Sequence, residues 1–307
     1  ASICIVFNFH HHPRKRPGKE PFAMSVLIPT WNNLAFLQCC IASIRRHSEL
    51  PLQIIVIVNE GTDGSLEWLR EQGDIDVLHS PENAGVCYAL NAARHLVQSD
   101  YILYLNDDMY VLPGWDTALW EAVKKQPDLY FYLSATMLEP HDTGNNCVHV
   151  FDAGDSPNSL REEALLQYHE KLNLEDWIGA TWPPSLVSRQ LWDLVGGMSP
   201  EFHPGMYSDP DFSMKLYRLG VRRFQGLGSS RVYHFGSKST GRVRANKGRL
   251  RFLTKWGMSS RYFTQHFLQL GTPGNGAVPD RLPELQRPGW KNRLKLLGLL
   301  LKGQGFR

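Results

Sequence analysis

The sequence predicts an α/β protein whose mainly parallel central sheet is flanked by helices and followed by a basic helical C-terminal tail. Two observations carry that expectation. Continuous apolar runs, "SVLIPT" from Ser25, "QIIVIVN" from Gln53 and "YILYLNDD" from Tyr101, have the length and β-branched content of strands buried on both faces. Between them lie segments with apolar residues at helical spacing, such as "LAFLQCCIASIRRH" from Leu34, and strands alternating with helices build parallel sheets.

The elements follow in order from Met24. After the first strand and the helix behind Asn32–Asn33 come the second strand, the turn "NEGTDGS", a helix over Leu66–Gln72, the short strand "DVLHS", a helix over Val86–Gln98 and the strand ending in Asp107 and Asp108. In such sheets ligands collect beyond the carboxyl ends of the strands. Thr30, Asn32, Asn59, Asp63, Asn83, Asp107 and Asp108 are therefore expected on one rim. Residues 136–176 read as an irregular polar cover with one helix near Leu160–Lys171. Order returns in "WPPSLVSRQLWDLVGG", the helix "DPDFSMKLYRLG" and the strand "RRFQGLGSSRVYHF". Residues 1–23, a run "SICIVFNF" followed by the proline-broken "HHHPRKRPGKEP", read as a leader or an extra edge segment.

The charge is asymmetric. The net +3 of the 307 residues conceals 15 Lys and Arg against 2 Asp and Glu in residues 237–307. Such a tail faces phosphate, nucleic acid or an anionic membrane surface; the body lacks the unbroken positive groove with interleaved aromatics that a nucleic-acid binder needs, so no nucleic-acid partner is expected. The five cysteines, Cys4, Cys39, Cys40, Cys87 and Cys147, are scattered, which fits a reducing cytoplasm rather than a disulfide framework. Apolar stretches such as Ile54–Val58 and Leu296–Leu301 are far shorter than the roughly 20 residues that span a bilayer. Residues 290–307 combine Trp290 and a leucine-rich run with Lys291, Arg293, Lys295 and Lys302, the pattern of a helix lying on an anionic membrane surface, with a helix packed on its own catalytic domain or on another subunit as the alternative.

Three constellations carry chemistry. In "YLNDDMYVLPGW" an apolar strand delivers Asn106, Asp107 and Asp108 at its carboxyl end, and adjacent carboxylates suit a divalent cation that also grips a diphosphate. In "GGMSPEFHPGMYSDPDF" Asp209 and Asp211 open a helix; the helix dipole alone accounts for Asp211, whereas Asp209 is the better general base. In "RVYHFGSKSTGR" His234 ends a strand as a candidate second metal ligand, and Ser237, Lys238, Ser239, Thr240 and Arg242 are suited to phosphate oxygens.

Taken in order, "VLIPTWN", "NEGTDGS", "ENAGVCYALNAA", "LNDD", "VGGMSPEF", "SDPDF" and "VYHFGSKSTGR" give residues 24–242 a close resemblance to the family-2 type of inverting glycosyltransferases with the GT-A fold. The resemblance implies a catalytic domain over 24–242, with a nucleotide-sugar half (24–135) fused to an acceptor half (136–242), and a helical extension over 243–307. It implies Asp108 as principal metal ligand, His234 as a further metal or diphosphate contact and Asp209 as base. Asn83 and Gly85 would lie beside the nucleotide, Thr30 and Asp63 near its base and ribose, with Asn59, Asp107 and Lys238 completing the donor site. Trp177 and Trp182, flanking "IGAT", and Asp211 would face the acceptor. The implied activity is Mn2+- or Mg2+-dependent hexosyl or deoxyhexosyl transfer from a UDP-, GDP- or dTDP-sugar to a hydroxyl of a glycan or lipid-linked acceptor, in surface polysaccharide or lipopolysaccharide synthesis at the inner face of the cytoplasmic membrane. A non-catalytic nucleotide-sugar or glycan-binding module of the same fold is the alternative, against which the retained aspartates and histidine speak. Two positions depart from the family pattern. Val58 and Asn59 stand where an acidic residue usually follows the second strand, leaving Glu60 as the nearest carboxylate, and Ser208 precedes the expected base where glutamate is common.

Overall fold

The computed structural model describes residues 7–16, 18, 20–236, 247–280 and positions 290, 294, 297 and 298. One sheet organises them. Strands β2 (Met24–Trp31), β3 (Leu52–Asn59), β4 (Ile75–Ser80) and β5 (Tyr101–Tyr104) lie parallel in the order β4-β3-β2-β5. Their alternating side chains feed two cores. Val26, Ile28 and Val56 pack with Leu37, Ile41 and Ile44 of α1 (Leu34–His47), while Leu27, Ile55 and Ile57 pack on the other face with Ala89, Leu90 and Ala93 of α3 (Gly85–Ala93). Burial on both faces is why these strands read as unbroken apolar runs. α2 (Ser65–Glu71) joins β3 to β4.

Beyond β5 the sheet is mixed. Strand β10 (Ser185–Ser188) runs antiparallel between β5 and β7 (Phe131–Glu139). β7 pairs in parallel with β11 (Arg223–His234) and with the short β8 (Val148–Val150). The expected irregular stretch from residue 136 therefore begins inside a strand buried along its whole length. A register shift between Leu227 and Arg231 re-aims the end of β11, which then pairs antiparallel with β6 (Met109–Val111), His234 opposite Met109. That pairing brings the end of β11 to the Asp107–Asp108 turn, where Phe235 N donates to the Asp108 carbonyl at 3.1 Å.

Helices α4 (Trp115–Lys124), α5 (Glu162–Lys171), α6 (Arg189–Leu194) and α7 (Ser208–Leu219) follow along the chain. At the other edge β1 (His10–His12) pairs antiparallel with β4. The beginning of the basic extension is part of the core. Phe252 of α8 (Gly248–Trp256), Phe263 of α9 (Ser260–His266) and Leu268 are buried with Phe202, Phe212 and Tyr217. Strands β9 (Trp177–Ile178) and β12 (Thr272–Pro273) extend the sheet past β11. Among the described residues no helix is long and apolar enough to cross a membrane. Lys238 and most of the expected surface helix 290–307 lie outside the described residues.

Candidate active site

A cleft of about 830 Å³ opens where the strand ends of the two halves meet, lined by Asp107, Asp108, Glu139, Trp182, Asp209 and His234 among others. On one wall His234 stands between two carboxylates. Its Nε2 lies 3.4 Å from Asp108 Oδ1 and its Nδ1 2.7 Å from Glu139 Oε1. All three are nearly buried, with Asp108 2%, His234 6% and Glu139 7% exposed. Burial alone would lower the imidazole's pKa, but Asp108 first and then Glu139 outweigh it and raise it to about 10.

The donor chemistry of this wall fits a divalent cation. Two ligands each roughly 2.1 Å from an octahedral ion stand about 3 Å apart, and the Asp108 Oδ1–His234 Nε2 pair is close to that separation. Among the described residues no group of three or more His, Cys, Asp or Glu side chains forms a ready metal cage. The pair Asp108 and His234 would therefore need oxygens from a ligand or water to complete a shell.

Asp209 stands at the start of α7, directly after Ser208 and Tyr207; Tyr207 holds a left-handed backbone, φ 72°, that only a constrained non-glycine residue keeps. Asp209 is partly exposed as a residue, yet its Oδ1 is shut off from solvent and has no hydrogen-bond partner among the described residues. Burial pushes its carboxyl up to about 7, although its own backbone N–H pulls the other way. Ser208, where the resemblance leads one to expect glutamate, donates to the Gly205 carbonyl at 2.6 Å and so fixes the loop before Asp209.

The donor-side candidates are placed differently. Asn59 is buried and spans strand ends, its Oδ1 accepting from Ala84 N at 3.0 Å and its Nδ2 donating to the Thr30 carbonyl at 3.4 Å. Asn83 Oδ1 accepts from Gly85 N at 2.9 Å, shaping the turn into α3. Asp63 accepts from Leu34 N at 2.7 Å, at the start of α1, and from Ser65 N at 3.1 Å, at the start of α2; it supports both helix N-termini. Thr30 Oγ1 is buried without a partner among the described residues. None of these five lines the cleft, which Pro29 and Val86 reach instead. Glu60, in a left-handed conformation at φ 62°, accepts from Trp31 Nε1 at 2.8 Å and Asn32 Nδ2 at 3.1 Å.

Of the acceptor-side candidates, Trp182 lines the cleft, with its indole Nε1 buried and unpartnered among the described residues. Trp177 does not. It sits in β9, donates from Nε1 to Thr136 Oγ1 at 2.9 Å and lies flat on Gly226, where a Cβ would come within 1.8 Å of the ring, so its size is used inside the sheet. Asp211 does not line the cleft either. Fully buried, it accepts from Ser199 Oγ at 2.5 Å and Trp256 Nε1 at 2.8 Å and pairs with Lys255 Nζ at 2.9 Å. Glu139 went unread in the sequence because it follows "FYLSATML" in a stretch taken as irregular; its signal is that it ends an apolar run as Asp108 and His234 do.

A mixed α/β sheet with two carboxylates and a histidine gathered on its strand ends defines a GT-A-type domain. The family model of glycosyl transferase family 2 matches residues 25–145. A relative, the pre-mycofactocin glycosyltransferase of Mycobacterium tuberculosis, is 30% identical over 215 residues, covering 69% of this chain and 42% of that relative. An uncharacterised glycosyltransferase of Haemophilus influenzae is 19% identical over 193 residues, 63% of this chain and 61% of that one. Among solved structures, the mannosyltransferase PcManGT of Pyrobaculum calidifontis, in complex with GDP-Man and Mn2+, superposes with a TM-score of 0.55 at 16% identity, covering 95% of this chain and 80% of that one. GalNAc-T7 with UDP, GalNAc and Mn2+ gives a TM-score of 0.55 at 14% identity over 81% of this chain and 50% of that one. The chain belongs to the family-2 glycosyltransferases and has the GT-A fold. It spans less than half the length of the Mycobacterium tuberculosis relative.

Proposed function

We propose that the protein transfers a hexosyl or deoxyhexosyl group from a nucleoside-diphosphate sugar to an acceptor hydroxyl with inversion at the anomeric carbon. One observation carries the reading. Asp209 presents a desolvated carboxyl oxygen with no hydrogen-bond partner among the described residues, held near pKa 7, to the same cleft whose other wall carries Asp108 and His234. A carboxylate so placed takes the proton of an attacking hydroxyl at ordinary pH. A single base on the acceptor side suits a single in-line displacement, hence inversion.

Asp108 and His234 would hold a Mn2+ or Mg2+ ion, which supplies neutralising charge to the departing diphosphate. Asp107 stands beside them in the cleft. Asn59, Asn83 and Gly85 serve the donor by shaping the backbone at the start of α3, Thr30 and Asp63 by fixing the strand and helix ends next to it, and Lys238 by charge. Trp182 offers its ring face to the acceptor sugar. The acceptor class we favour is a glycan or lipid-linked glycan of surface polysaccharide or lipopolysaccharide, reached from the inner face of the cytoplasmic membrane, with residues 290–307 resting on anionic lipid. Liposome sedimentation of the chain with and without residues 290–307 tests that last point, and salt-insensitive or unchanged binding would end it.

The test of the main reading is a thermal-shift and turnover screen of UDP-, GDP- and dTDP-sugars with Mn2+ or Mg2+; GDP-mannose and UDP-GalNAc come first, after the ligands of the two solved structures. A ligand that binds only the native state raises the melting temperature. Stabilisation by one nucleotide sugar, with nucleotide released and an inverted product by NMR, is the expected result. A protein that binds no nucleotide sugar, or a retained configuration, refutes it.

A further inference from the structure

We propose that Glu139 is a positioning residue: its Oε1 accepts the hydrogen of His234 Nδ1, so that Nε2 is the ring nitrogen turned to a divalent cation shared with Asp108. The proposal rests on reading the cleft as a metal-assisted transfer site and assigns a role to a residue outside the metal contacts themselves.

The geometry is built into the sheet. β7 and β11 run parallel with Leu138 beside Tyr233, so the next residues along, Glu139 and His234, leave the ladder side by side. The 2.7 Å contact between Glu139 Oε1 and Nδ1 is shorter than the 3.4 Å from Nε2 to Asp108, so the tighter of the ring's two carboxylate contacts is the one to Glu139. Glu139 is held from behind as well. Its carbonyl accepts from Phe151 N at 2.9 Å, it pairs with Val150 of β8, and its second oxygen faces Thr143 Oγ1 at 3.4 Å. The polar segment between β7 and β8 thus closes over the buttress. Whichever ring nitrogen carries the hydrogen is decided by its partner, and a carboxylate can only accept. With Nδ1–H committed to Glu139, Nε2 is the ligand. Carboxylates behind metal-bound histidines fix the ring's tautomer and raise its basicity.

A buried ion pair that merely closes a strand end would show the same distances, and the two roles separate on ion selectivity. Imidazole suits transition metals, whereas Mg2+ is held chiefly by oxygens. The experiment uses the full chain, without donor, and measures Kd for Mn2+ by electron paramagnetic resonance and for Mg2+ by competition, in wild type, Glu139→Gln, Glu139→Leu, His234→Ala and the Glu139→Gln/His234→Ala pair. Loss of the buttress should weaken Mn2+ by about 10- to 100-fold and leave Mg2+ within about threefold, since its ligands are oxygens. In the His234→Ala background, Glu139→Gln should add nothing further, because the two act as one unit. Melting curves of the apo variants report folding independently. Unchanged Mn2+ affinity in both Glu139 variants, equal loss for the two ions, or additive losses in the pair overturns the proposal while leaving the transferase reading intact. A wild type that binds neither ion overturns the proposal together with the metal assignment, and nucleotide-sugar binding then decides separately whether the transferase reading survives.

Discussion

A Cβ placed on Gly85 would lie 2.6 Å from the Pro204 carbonyl oxygen, so the first turn of α3 and the loop leading to Asp209 touch with no room between them. Two hydrogen bonds fasten the contact: Val86 N donates to the Pro204 carbonyl at 2.7 Å, and His203 Nδ1 donates to the Ala84 carbonyl at 3.0 Å. The turn shaped by Asn59 and Asn83 is therefore one mechanical unit with the loop leading to Asp209. Gly85 also holds φ +64°, which an L side chain resists. Gly85→Ala should displace residues 203–209, costing roughly 1–3 kcal/mol of stability and more than tenfold in turnover. Parallel melting curves and initial rates check this; a variant with wild-type rate would show that the contact does not set the position of Asp209.

Asp108→Ala should abolish turnover and Mn2+ binding while the protein still folds. Asp108 is almost buried beside His234, but His234 keeps its 2.7 Å bond to Glu139, so the histidine is not left without a partner. The checks are rate, Mn2+ titration and circular dichroism on one preparation. Near wild-type activity, or wild-type turnover insensitive to a chelator, contradicts the role given to Asp108.

How much of this was legible in the sequence depends on where each signal lives. Strands β2, β3 and β5 were readable because two-sided burial writes itself as continuous β-branched runs; the predicted helix "LAFLQCCIASIRRH" coincides with α1, Leu34–His47. Asp108, His234 and Asp209 were readable as charges at the ends of such elements, and the cleft does bring them together. Asp211 and Trp177 do not line the cleft, and the partners that hold them, Lys255 with Trp256 and Thr136, lie 44 to 45 and 41 residues away in sequence. Glu139 was hidden for a related reason: its meaning comes from β11 lying parallel beside β7, a pairing that no local pattern announces.

The pH dependence tests Asp209. With the carboxyl at about 7 in the folded protein, kcat/KM should fall roughly tenfold per pH unit below that value, and Asp209→Asn should remove both the limb and the activity while donor binding persists. Stability should respond in the opposite sense. Between its ordinary 3.8 and about 7 the native state keeps a proton that the unfolded chain has lost, so this group's contribution falls as pH rises through that window. Asp209→Asn, which carries no charge to bury, should therefore melt a few degrees above wild type at pH 8 and approach it near pH 4. A flat rate profile through pH 7, or an Asn variant less stable at pH 8, would exclude a raised carboxyl as the base.

The packing of Asp211 makes a prediction about the basic extension, expected from the sequence as a separate piece after residue 242. Asp211 is fully buried in the first turn of α7, and three of its contacts are Ser199 Oγ, Trp256 Nε1 and Lys255 Nζ, the last two from α8. Lys255 also reaches Glu201 at 2.7 Å, so one ammonium ties α8 to both the start of α7 and the loop before the base. Removing one partner of a buried pair leaves the other charge desolvated, which costs more than the pair contributes. Because Lys255 is 27% exposed and two neutral donors remain on Asp211, Lys255→Met should destabilise by roughly 2–3 kcal/mol. Lys255→Met with Asp211→Leu should recover part of that loss, since no charge then stays buried. Ending the chain after residue 242 should be worse than either, because Phe252, Phe263 and Leu268 leave the core with α8 and α9. Urea unfolding of the four proteins measures this directly. A truncated chain as stable as the whole would mean that α8 and α9 only rest on the catalytic domain, whereas failure to fold with partial recovery in the double variant would place residues 247–280 within it.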